Sequence, residues 1–495
     1  MYLLGYDIGS SSVKATLLQA ENGTAIASAT SPTVEMKIDA PQPGWAEQHP
    51  DLWWENLKIA THQILATSKV DVSQIRAIGI SYQMHGLVAV DKNLQVLRPA
   101  IIWCDGRAAS IGEKAFRALG EQRCLEKLLN SPGNFTASKL RWVKENEPHI
   151  FDKIYKIMLP GDYIAARMSG TINTTVSGLS EGIFWNIQED RLADFLLDYY
   201  QIPHSYIPDI VPTFSIQSEL SVSAAKELGL TKGIPISYRA GDQPNNAFSL
   251  NALRAGEVAA TAGTSGVVYG VNDRPNYDRF SRVNTFIHVN HTAQTPSYGV
   301  LLCINGTGIM NSWMKAQIGG GYLDYSQMNE IASHAPIGSS GLCILPFGNG
   351  AERILSNKET GAMIYNLQLN IHNRSHLFRA AQEGIVFALN YGFEVMQTMG
   401  IRPQTVRAGN ANMFLSPLFA SAFSTLTQTQ VELYNTDGSQ GAARGAGLGA
   451  GIYSSLEETF ASLRVIKRIE PINAEKNAYL EAYQRWKSVL HKFLE

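Results

Sequence analysis

Short apolar runs separated by polar turns open the chain, a pattern that predicts strands. The runs YLLGYDIG, SVKATLLQA and TAIASATS are divided first by a turn rich in glycine and serine and then by Asn22-Gly23. Asn-Gly between apolar runs is typical of a β-hairpin. We therefore expect an antiparallel meander in which Gly9 to Ser12 join the first two strands. This order argues against a P-loop and a dinucleotide-binding fold, in which a glycine-rich turn opens a helix.

The same arrangement returns about half the chain later, in EVAATAGTSGVVYGV. When Gly263 is set on Gly9, GTSGV aligns with GSSSV, and each has a glycine, hydroxyl residues and a valine between apolar runs. A motif that occurs once in each half predicts two related domains. The segment GIPISYRAGD is again strand-like, so we place the domains at residues 1–245 and 246–495.

Segments with helical character lie in the second half. SHLFRAAQEGIVFALNYGFEVMQTMG predicts a long helix that ends near Gly400. QTVRAGNANMFLSPLFASAF predicts a strand, a turn and a helix, and DGSQGAARGAGLG predicts a helix of small residues that allows a close neighbour.

Length and composition narrow the class of protein. At 495 residues the chain is too long for one ordinary core, and its formal net charge of -2 argues against a nucleic-acid or anionic-membrane partner. No apolar run approaches the roughly 18 residues of a membrane-spanning helix. The four cysteines show no metal-binding spacing and indicate a reducing compartment, so we expect a cytoplasmic protein.

The opening turn has the composition of an anion-binding site. Its backbone N–H groups and hydroxyls would suit a phosphate, and they belong to Gly9, Ser10, Ser11 and Ser12. Asp7 would repel that phosphate unless a cation lies between them, and Mg²⁺ binds through carboxylates and substrate phosphates. Asp7 and the turn therefore predict a site for Mg²⁺ and a nucleotide, with a hairpin that contains an Asx-type turn as the alternative. A second phosphate turn is predicted by the matching residues Gly263, Thr264 and Ser265.

Polar residues gather at predicted strand ends in IGISYQMHGLVAVDKNLQVLRPAIIWCDGR. His85, Asp105 and Arg107 carry groups that hydrogen-bond sugar hydroxyls, and Trp103 offers an apolar face. Two structural alternatives stay open. His85 can be a satisfied residue at a strand end, and Asp105 can form a local ion pair with Arg107.

An acid follows a buried strand in IPISYRAGDQPNNAFSL. Asp242 is well placed to accept a proton from a substrate hydroxyl, although the ordinary Asp pKa of about 3.9 makes a weak base. Phosphoryl transfer tolerates a weak base, because the nucleophile needs orientation more than early deprotonation. The alternative is that Asp242 caps a helix that has Pro244 in its first turn.

Taken together in chain order, these motifs resemble the FGGY family of carbohydrate kinases, and its xylulose kinases in particular. The stretches that carry the resemblance are DIGSSS, GWAEQHP, QMHG, RPAIIWCDGR, GDQ, AGTSG, GNAN and GAARGAG. The resemblance implies a duplicated actin-like, ribonuclease-H-like α/β fold with two domains facing across a cleft. It places the sugar mainly on the N-terminal half and the nucleotide mainly on the C-terminal half.

The resemblance also implies roles for single residues. Asp242 would be the catalytic base, and Asp7 would hold Mg²⁺ directly or through water. The sugar would contact Asp242 together with Met84, His85 and Asp105. The nucleotide base would lie near Gly409, Asn410 and Asn412. The implied reaction transfers a phosphoryl group from ATP to D-xylulose and gives xylulose 5-phosphate and ADP.

Other functions remain open at this point. A kinase for ribulose, a hexulose or gluconate would use the same chemistry on another substrate. A sensor that binds a sugar or a nucleotide without catalysis would have no need of Asp7 and Asp242, and an actin-like assembling ATPase is a third class. The expected partners are a small sugar and ATP, with a homodimer left open.

Overall fold

The structure is a computed structural model that describes all 495 residues, Met1–Glu495. Its strands, in chain order, are β1 Tyr2–Ile8, β2 Val13–Gln19, β3 Ala25–Ser31, β4 Glu47–Gln48, β5 Ile75–Tyr82, β6 Val88–Val90, β7 Ala100–Ile101, β8 Lys156–Met158, β9 Asn173–Thr174, β10 Trp185–Asn186, β11 Arg191–Leu192, β12 Asp209–Ile210, β13 Phe214–Glu219, β14 Pro235–Gly241, β15 Val258–Ala262, β16 Gly266–Asn272, β17 Asn284–Ile287, β18 Tyr298–Ile304, β19 Cys343–Leu345, β20 Met363–Tyr365, β21 Thr405–Gly409, β22 Gln430–Tyr434 and β23 Val465–Ile469.

The helices occur in both halves of the chain. They are α1 Pro50–Ser68, α2 Ala109–Leu119, α3 Glu121–Leu128, α4 Thr136–Asn146, α5 Pro148–Phe151, α6 Pro160–Ser169, α7 Val176–Glu181, α8 Asp194–Tyr200, α9 Val222–Leu228, α10 Asp242–Ser249, α11 Gly308–Gln317, α12 Tyr325–Ser333, α13 Arg374–Thr398, α14 Pro417–Thr427, α15 Gly438–Gly449, α16 Leu456–Phe460 and α17 Lys476–Leu494. Short 3₁₀ helices cover Val72–Gln74, His204–Tyr206, Ser339–Gly341, Arg353–Leu355 and Asn412–Leu415.

The chain forms two compact units. The first unit contains Met1–Asn251, Phe286–Tyr298 and Thr436–Leu463, and the second contains Ala252–Thr285, Gly299–Asn435 and Arg464–Glu495. The first change of unit, after Asn251, lies close to the domain boundary placed at residue 245. The sequence did not indicate that the chain returns to the first unit at Phe286 and again at Thr436.

The first unit is built on a six-stranded sheet in the order β13-β14-β5-β1-β2-β3. β1, β2 and β3 pair antiparallel, which confirms the predicted meander, whereas β1 with β5 and β5 with β14 pair parallel. The turn between β1 and β2 closes with a hydrogen bond from Gly9 N to Ser12 O at 3.0 Å. The carboxyl ends of β1, β5 and β14 therefore meet at one edge of the sheet.

Two helices cover opposite faces of this sheet. The Tyr6 hydroxyl hydrogen-bonds Thr61 of α1 at 2.8 Å, while the neighbouring Gly5 faces α15. Successive strand residues point to opposite faces, so the two helices lie on opposite sides. A side chain at Gly5 or Gly79 would collide with the backbone of α15, which explains the glycine at each position. The close packing predicted for this small-residue helix is confirmed.

The second unit repeats the central strand order of the first. Its seven-stranded sheet runs β17-β18-β16-β15-β21-β22-β23, so β18-β16-β15-β21-β22 corresponds to β3-β2-β1-β5-β14. β15 and β16 pair antiparallel around Gly263–Ser265, while β15 with β21 and β21 with β22 pair parallel. The internal repeat seen in five residues of sequence is thus a repeat of topology. The long helix expected to end near Gly400 is α13, and the strand, turn and helix that follow it are also confirmed.

Two further properties of the fold concern its cysteines and the apolar character of its helices. The four cysteines are free: Cys104 is exposed, Cys303 is half-buried, and Cys124 and Cys343 are buried. None of the helices has both the length and the apolar character needed to cross a membrane.

Candidate active site

Asp7 and Asp242 lie at the carboxyl ends of strands in the first sheet. Asp7 is in register with Ser81 of β5, whose hydroxyl donates to Asp7 Oδ1 at 2.8 Å. Asp242 follows directly on β14 as the first residue of α10. The N-cap of α10 is Gly241, so the alternative reading of Asp242 as the cap is wrong, and the helix begins with no side-chain cap. Both carboxylates are half-buried.

The surroundings change the acidity of both carboxyl groups. Burial, and next the negative charge of Asp7, raise the pKa of Asp242 to about 7. Burial also raises the pKa of Asp7, opposed by the Ser81 hydrogen bond and supported by the charge of Asp437. From the sequence alone, Asp242 was expected to have the ordinary pKa of an aspartate and so to be a weak base. In the folded chain its pKa matches neutral pH, where a general base is most effective.

The amino end of α15 lies against Asp7. Asp437 is the N-cap of this helix, and its Oδ1 accepts from Gln440 N at 3.0 Å. Its Oδ2 pairs with Lys14 Nζ at 2.7 Å. A side chain at Gly438 would collide with Asp7 Oδ2. Asp437 was missed in the sequence, although Asp before Gly-Ser-Gln is a recognisable helix start.

The predicted phosphate turn of the first unit adjoins a predicted sugar residue. Trp103 Nε1 lies 3.2 Å from Ser10 Oγ and donates to it. The indole is 42% exposed, so it presents an open apolar face beside the turn. Gln48 Nε2 donates to Ser10 O at 2.7 Å, and Met36 N donates to Ser11 O at 2.8 Å. These bonds to carbonyl oxygens anchor the turn.

His85 is held in one orientation. Its backbone has φ of 60°, an uncommon value for a residue other than glycine, and its ring packs edge-on against Phe135 at 4.8 Å. His85 Nδ1 lies 2.9 Å from the Glu181 carbonyl oxygen, and its backbone N–H donates to Glu181 Oε1 at 3.2 Å. Because a carbonyl only accepts, Nδ1 carries a proton.

Asp105 forms the ion pair that the sequence left open. Its carboxylate is fully buried and accepts from Ala46 N at 2.6 Å and from Arg107 NH2 at 2.7 Å. The Arg107 guanidinium stacks 3.8 Å from the Trp45 ring centre and 4.7 Å from that of Trp142. In this structure Asp105 positions the loop that carries Trp103. Its direct contact with a sugar stays a prediction.

Lys139 joins the two segments expected to bind the sugar. Its ammonium group is completely buried and donates to His85 O and to Ile102 O, each at 2.9 Å. Burial lowers its pKa to about 8, and the charge of Asp105 opposes that shift. No motif pointed to Lys139, because an isolated lysine in a helix usually lies at the surface.

The predicted nucleotide segments of the second unit lie close to one another. Gly308 N donates to Gly263 O at 2.9 Å, and Ile309 N donates to Thr264 O at 3.2 Å. These two bonds hold the backbone of the second phosphate turn at Gly263 and Thr264. A Cβ on Gly263 would lie 3.5 Å from Asn412 Nδ2. The predicted adenine turn is held by hydrogen bonds from Asn410 N to Tyr434 O and from Ala411 N to Gly409 O, at 2.9 and 2.8 Å.

Glu352 holds the backbone of the segment that precedes α11. Its carboxylate accepts from Asn305 N at 3.0 Å and from Gly306 N at 3.2 Å. Burial raises its pKa to about 7.

Comparison with known proteins identifies the family to which the chain belongs. The N-terminal domain of the FGGY family of carbohydrate kinases matches residues 2–249, half of the chain. The chain belongs to the FGGY family of carbohydrate kinases. It is therefore an ATP-dependent sugar phosphotransferase, and the α/β fold with two duplicated actin-like domains is confirmed.

Similar FGGY kinases cover nearly the whole chain. The xylulose kinase of Escherichia coli (strain K12) is 28% identical over 94% of this chain and 92% of its own length. That of Bacillus subtilis (strain 168) is 29% identical over 92% and 90%. The structure of a xylulose kinase from Lactobacillus acidophilus superposes with a TM-score of 0.90 at 22% identity, covering 99% of this chain and 98% of that one. The resemblance stated from the motifs is confirmed.

Proposed function

We propose that this kinase phosphorylates a ketopentose, D-xylulose, to xylulose 5-phosphate, with Asp242 as the general base. The observation that carries the proposal is the position of Asp242: it follows β14 beside Asp7, and its pKa is raised to about 7. The xylulose kinases that resemble this chain over nearly its full length support the choice of sugar.

In the proposed reaction the 5-hydroxyl oxygen of the sugar attacks the γ-phosphorus of ATP. The new P–O bond forms as the bond to the oxygen bridging the β- and γ-phosphorus breaks, and ADP leaves. Asp242 accepts the hydroxyl proton as the phosphoryl group transfers. His85 and Met84 orient the sugar, with the indole of Trp103 as an apolar face, while the turns Gly9–Ser12 and Gly263–Ser265 bind phosphate oxygens.

The donor set around Asp7 suits Mg²⁺. Asp7 offers carboxylate oxygens, the ligand type that Mg²⁺ prefers, and the nearby Asp437 is already neutralised by Lys14 at 2.7 Å. Asp7 would hold the ion directly or through water. When bound, the ion would neutralise charge on the phosphates and on Asp7. A cytoplasmic location and a possible homodimer stay predictions of the sequence.

The test is ADP release from MgATP with D-xylulose, L- and D-ribulose, D-fructose, D-gluconate and glycerol. We expect D-xylulose to give the highest kcat/KM. Asp242→Asn should lower kcat by about 10²- to 10⁴-fold, the usual contribution of a general base, while sugar binding measured by calorimetry persists. A wild-type preference for another sugar would change the substrate and keep the mechanism. Near-normal turnover of Asp242→Asn would remove Asp242 from the mechanism.

Sugar binding without turnover in the wild-type protein would instead favour the sensor hypothesis.

A further inference from the structure

Glu181 is a buried carboxyl group that the mechanism above does not use. It ends α7 and is only 1% exposed. Its Oε1 accepts from His85 N at 3.2 Å, but its Oε2 has no hydrogen-bond partner. A buried polar atom without a partner costs free energy, so an unsatisfied group in a native protein calls for a reason.

The unsatisfied oxygen lies among the residues proposed to bind the sugar. A Cβ on Gly241, the residue before Asp242, would collide with Glu181 Oε2 and also with the Met84 side chain. His85 Nδ1 also donates a hydrogen bond to the Glu181 carbonyl oxygen at 2.9 Å. Glu181 thus contacts the Met84-His85 segment with one oxygen and its backbone, and adjoins Gly241 with the other oxygen.

We propose that Glu181 is a substrate-binding residue whose Oε2, as a carboxylic acid hydroxyl, donates a hydrogen bond to a hydroxyl group of an uncharged sugar held beside Asp242. The proposal rests on the proposed function and extends it to a further residue and to the charge of the substrate. It assigns the unsatisfied oxygen a partner that arrives with the sugar.

The electrostatic surroundings support the acid form. Burial raises the pKa of Glu181 well above its ordinary value, the His85 N–H lowers it, and the charges of Asp242 and Asp162 raise it further. The neighbouring titratable groups are Tyr82, whose pKa is raised by burial and then by the charge of Glu181, and the His85 ring, which hydrogen-bonds the Glu181 carbonyl oxygen. A neutral Glu181 can donate where an ionised one only accepts.

The same surroundings disfavour an anionic substrate such as gluconate. The cations nearby are engaged: Arg239 pairs with Asp162 at 3.1 Å, and Lys139 donates to two backbone carbonyls. A substrate carboxylate would therefore meet the negative charge of Asp242, while the guanidinium of Arg239 is already paired with Asp162. An uncharged ketose meets no such repulsion.

The first test compares Glu181→Met with the wild-type protein by calorimetry with D-xylulose and by steady-state kinetics. Met fills a similar volume without a donor, so we expect the sugar Kd and KM to rise about 10- to 100-fold, as for the loss of one buried hydrogen bond. The KM for ATP should stay unchanged. Ser180→Ala is the matched control, because Ser180 lies next to Glu181 in α7 and its Oγ accepts from Ile287 N at 3.0 Å. Loss of this hydrogen bond should lower the melting temperature without changing the sugar Kd.

Glu181→Gln supplies a second measurement that does not depend on Glu181→Met folding. Gln keeps an N–H donor but cannot ionise. An amide and a carboxylic acid can both donate a hydrogen bond from this position, so Glu181→Gln should keep the sugar Kd close to the wild-type value at neutral pH.

The outcomes separate this inference from the proposed function. If the wild-type protein phosphorylates D-xylulose and Glu181→Met binds it equally well, Glu181 is not a substrate ligand and the proposed function stands. A large loss of sugar affinity in a folded Glu181→Gln protein would also overturn the donor role. A wild-type preference for gluconate would refute the uncharged substrate. A wild-type protein that neither binds nor phosphorylates any sugar would refute both proposals.

Discussion

At the scale of single residues, the ionisation of Asp242 governs both activity and stability. Its pKa is raised to about 7 by burial and by Asp7. A base must be ionised to accept a proton, so kcat/KM for the sugar should rise with pH through an apparent pKa of about 7. The measurement is kcat/KM from pH 5.5 to 9 at constant ionic strength, and a flat profile across neutral pH would contradict it.

The same ionisation should weaken the fold. An acid whose pKa rises on folding binds its proton more tightly in the folded state, so its contribution to stability falls as the pH rises from about 4 to about 7. Asp242→Asn removes this ionisation and serves as the control for the pH profile. We expect its melting temperature to exceed that of the wild-type protein at pH 8, with the difference shrinking at pH 5.

Sequence patterns identified some of these residues and not others. Asp7 and Asp242 were found because each lies at the carboxyl end of an apolar strand with a glycine close by in the sequence, which is a local signal. Glu181 and Lys139 carry no such signal, since their importance comes from burial among residues distant in the chain. For Asp105 the sequence supplied two readings, and only the fold shows the carboxylate enclosed by Arg107 and Ala46.

At the scale of elements, the contact between α15 and the first sheet depends on glycine in the strands. A side chain at Gly79 would collide with the Ala442 carbonyl oxygen in α15. Gly79→Ala should therefore lower the free energy of unfolding by about 1–3 kcal/mol, the usual cost of overpacking, as measured by urea denaturation. Gly106→Ala is the control, because its Cβ would meet only Gly44 O at an ordinary 3.4 Å. Equal stability of the two variants would refute the close contact.

The strands and turns were the most predictable elements. Asn22-Gly23 and the glycine-serine turn specify antiparallel pairing locally, so β1 to β3 followed from the sequence. Strand order in the sheet did not, because β5 and β14 join β1 across long stretches of chain. The repeat of GSSSV as GTSGV gave the one long-range clue, and the matching strand orders of the two units explain it.

At the scale of the whole molecule, the first unit depends on residues from the far end of the chain. α15 covers β1, β5 and β14, yet it lies in the segment Thr436–Leu463. We expect a fragment of residues 1–251 to lack cooperative thermal unfolding, because the apolar face of its sheet would meet water. The same fragment joined by a flexible linker to residues 436–463 is the control and should recover cooperativity. Cooperative unfolding of the shorter fragment would show that α15 is dispensable.

This discontinuity has a consequence for biosynthesis. The ribosome makes the strands of the first sheet early but releases α15 about 200 residues after Asn251, a delay of roughly 10 to 40 s at usual elongation rates. Throughout that interval the sheet face with Gly5 and Gly79 has no helix to cover it. The nascent chain is therefore a natural client for chaperones, and the kinase becomes competent only near the end of its own translation.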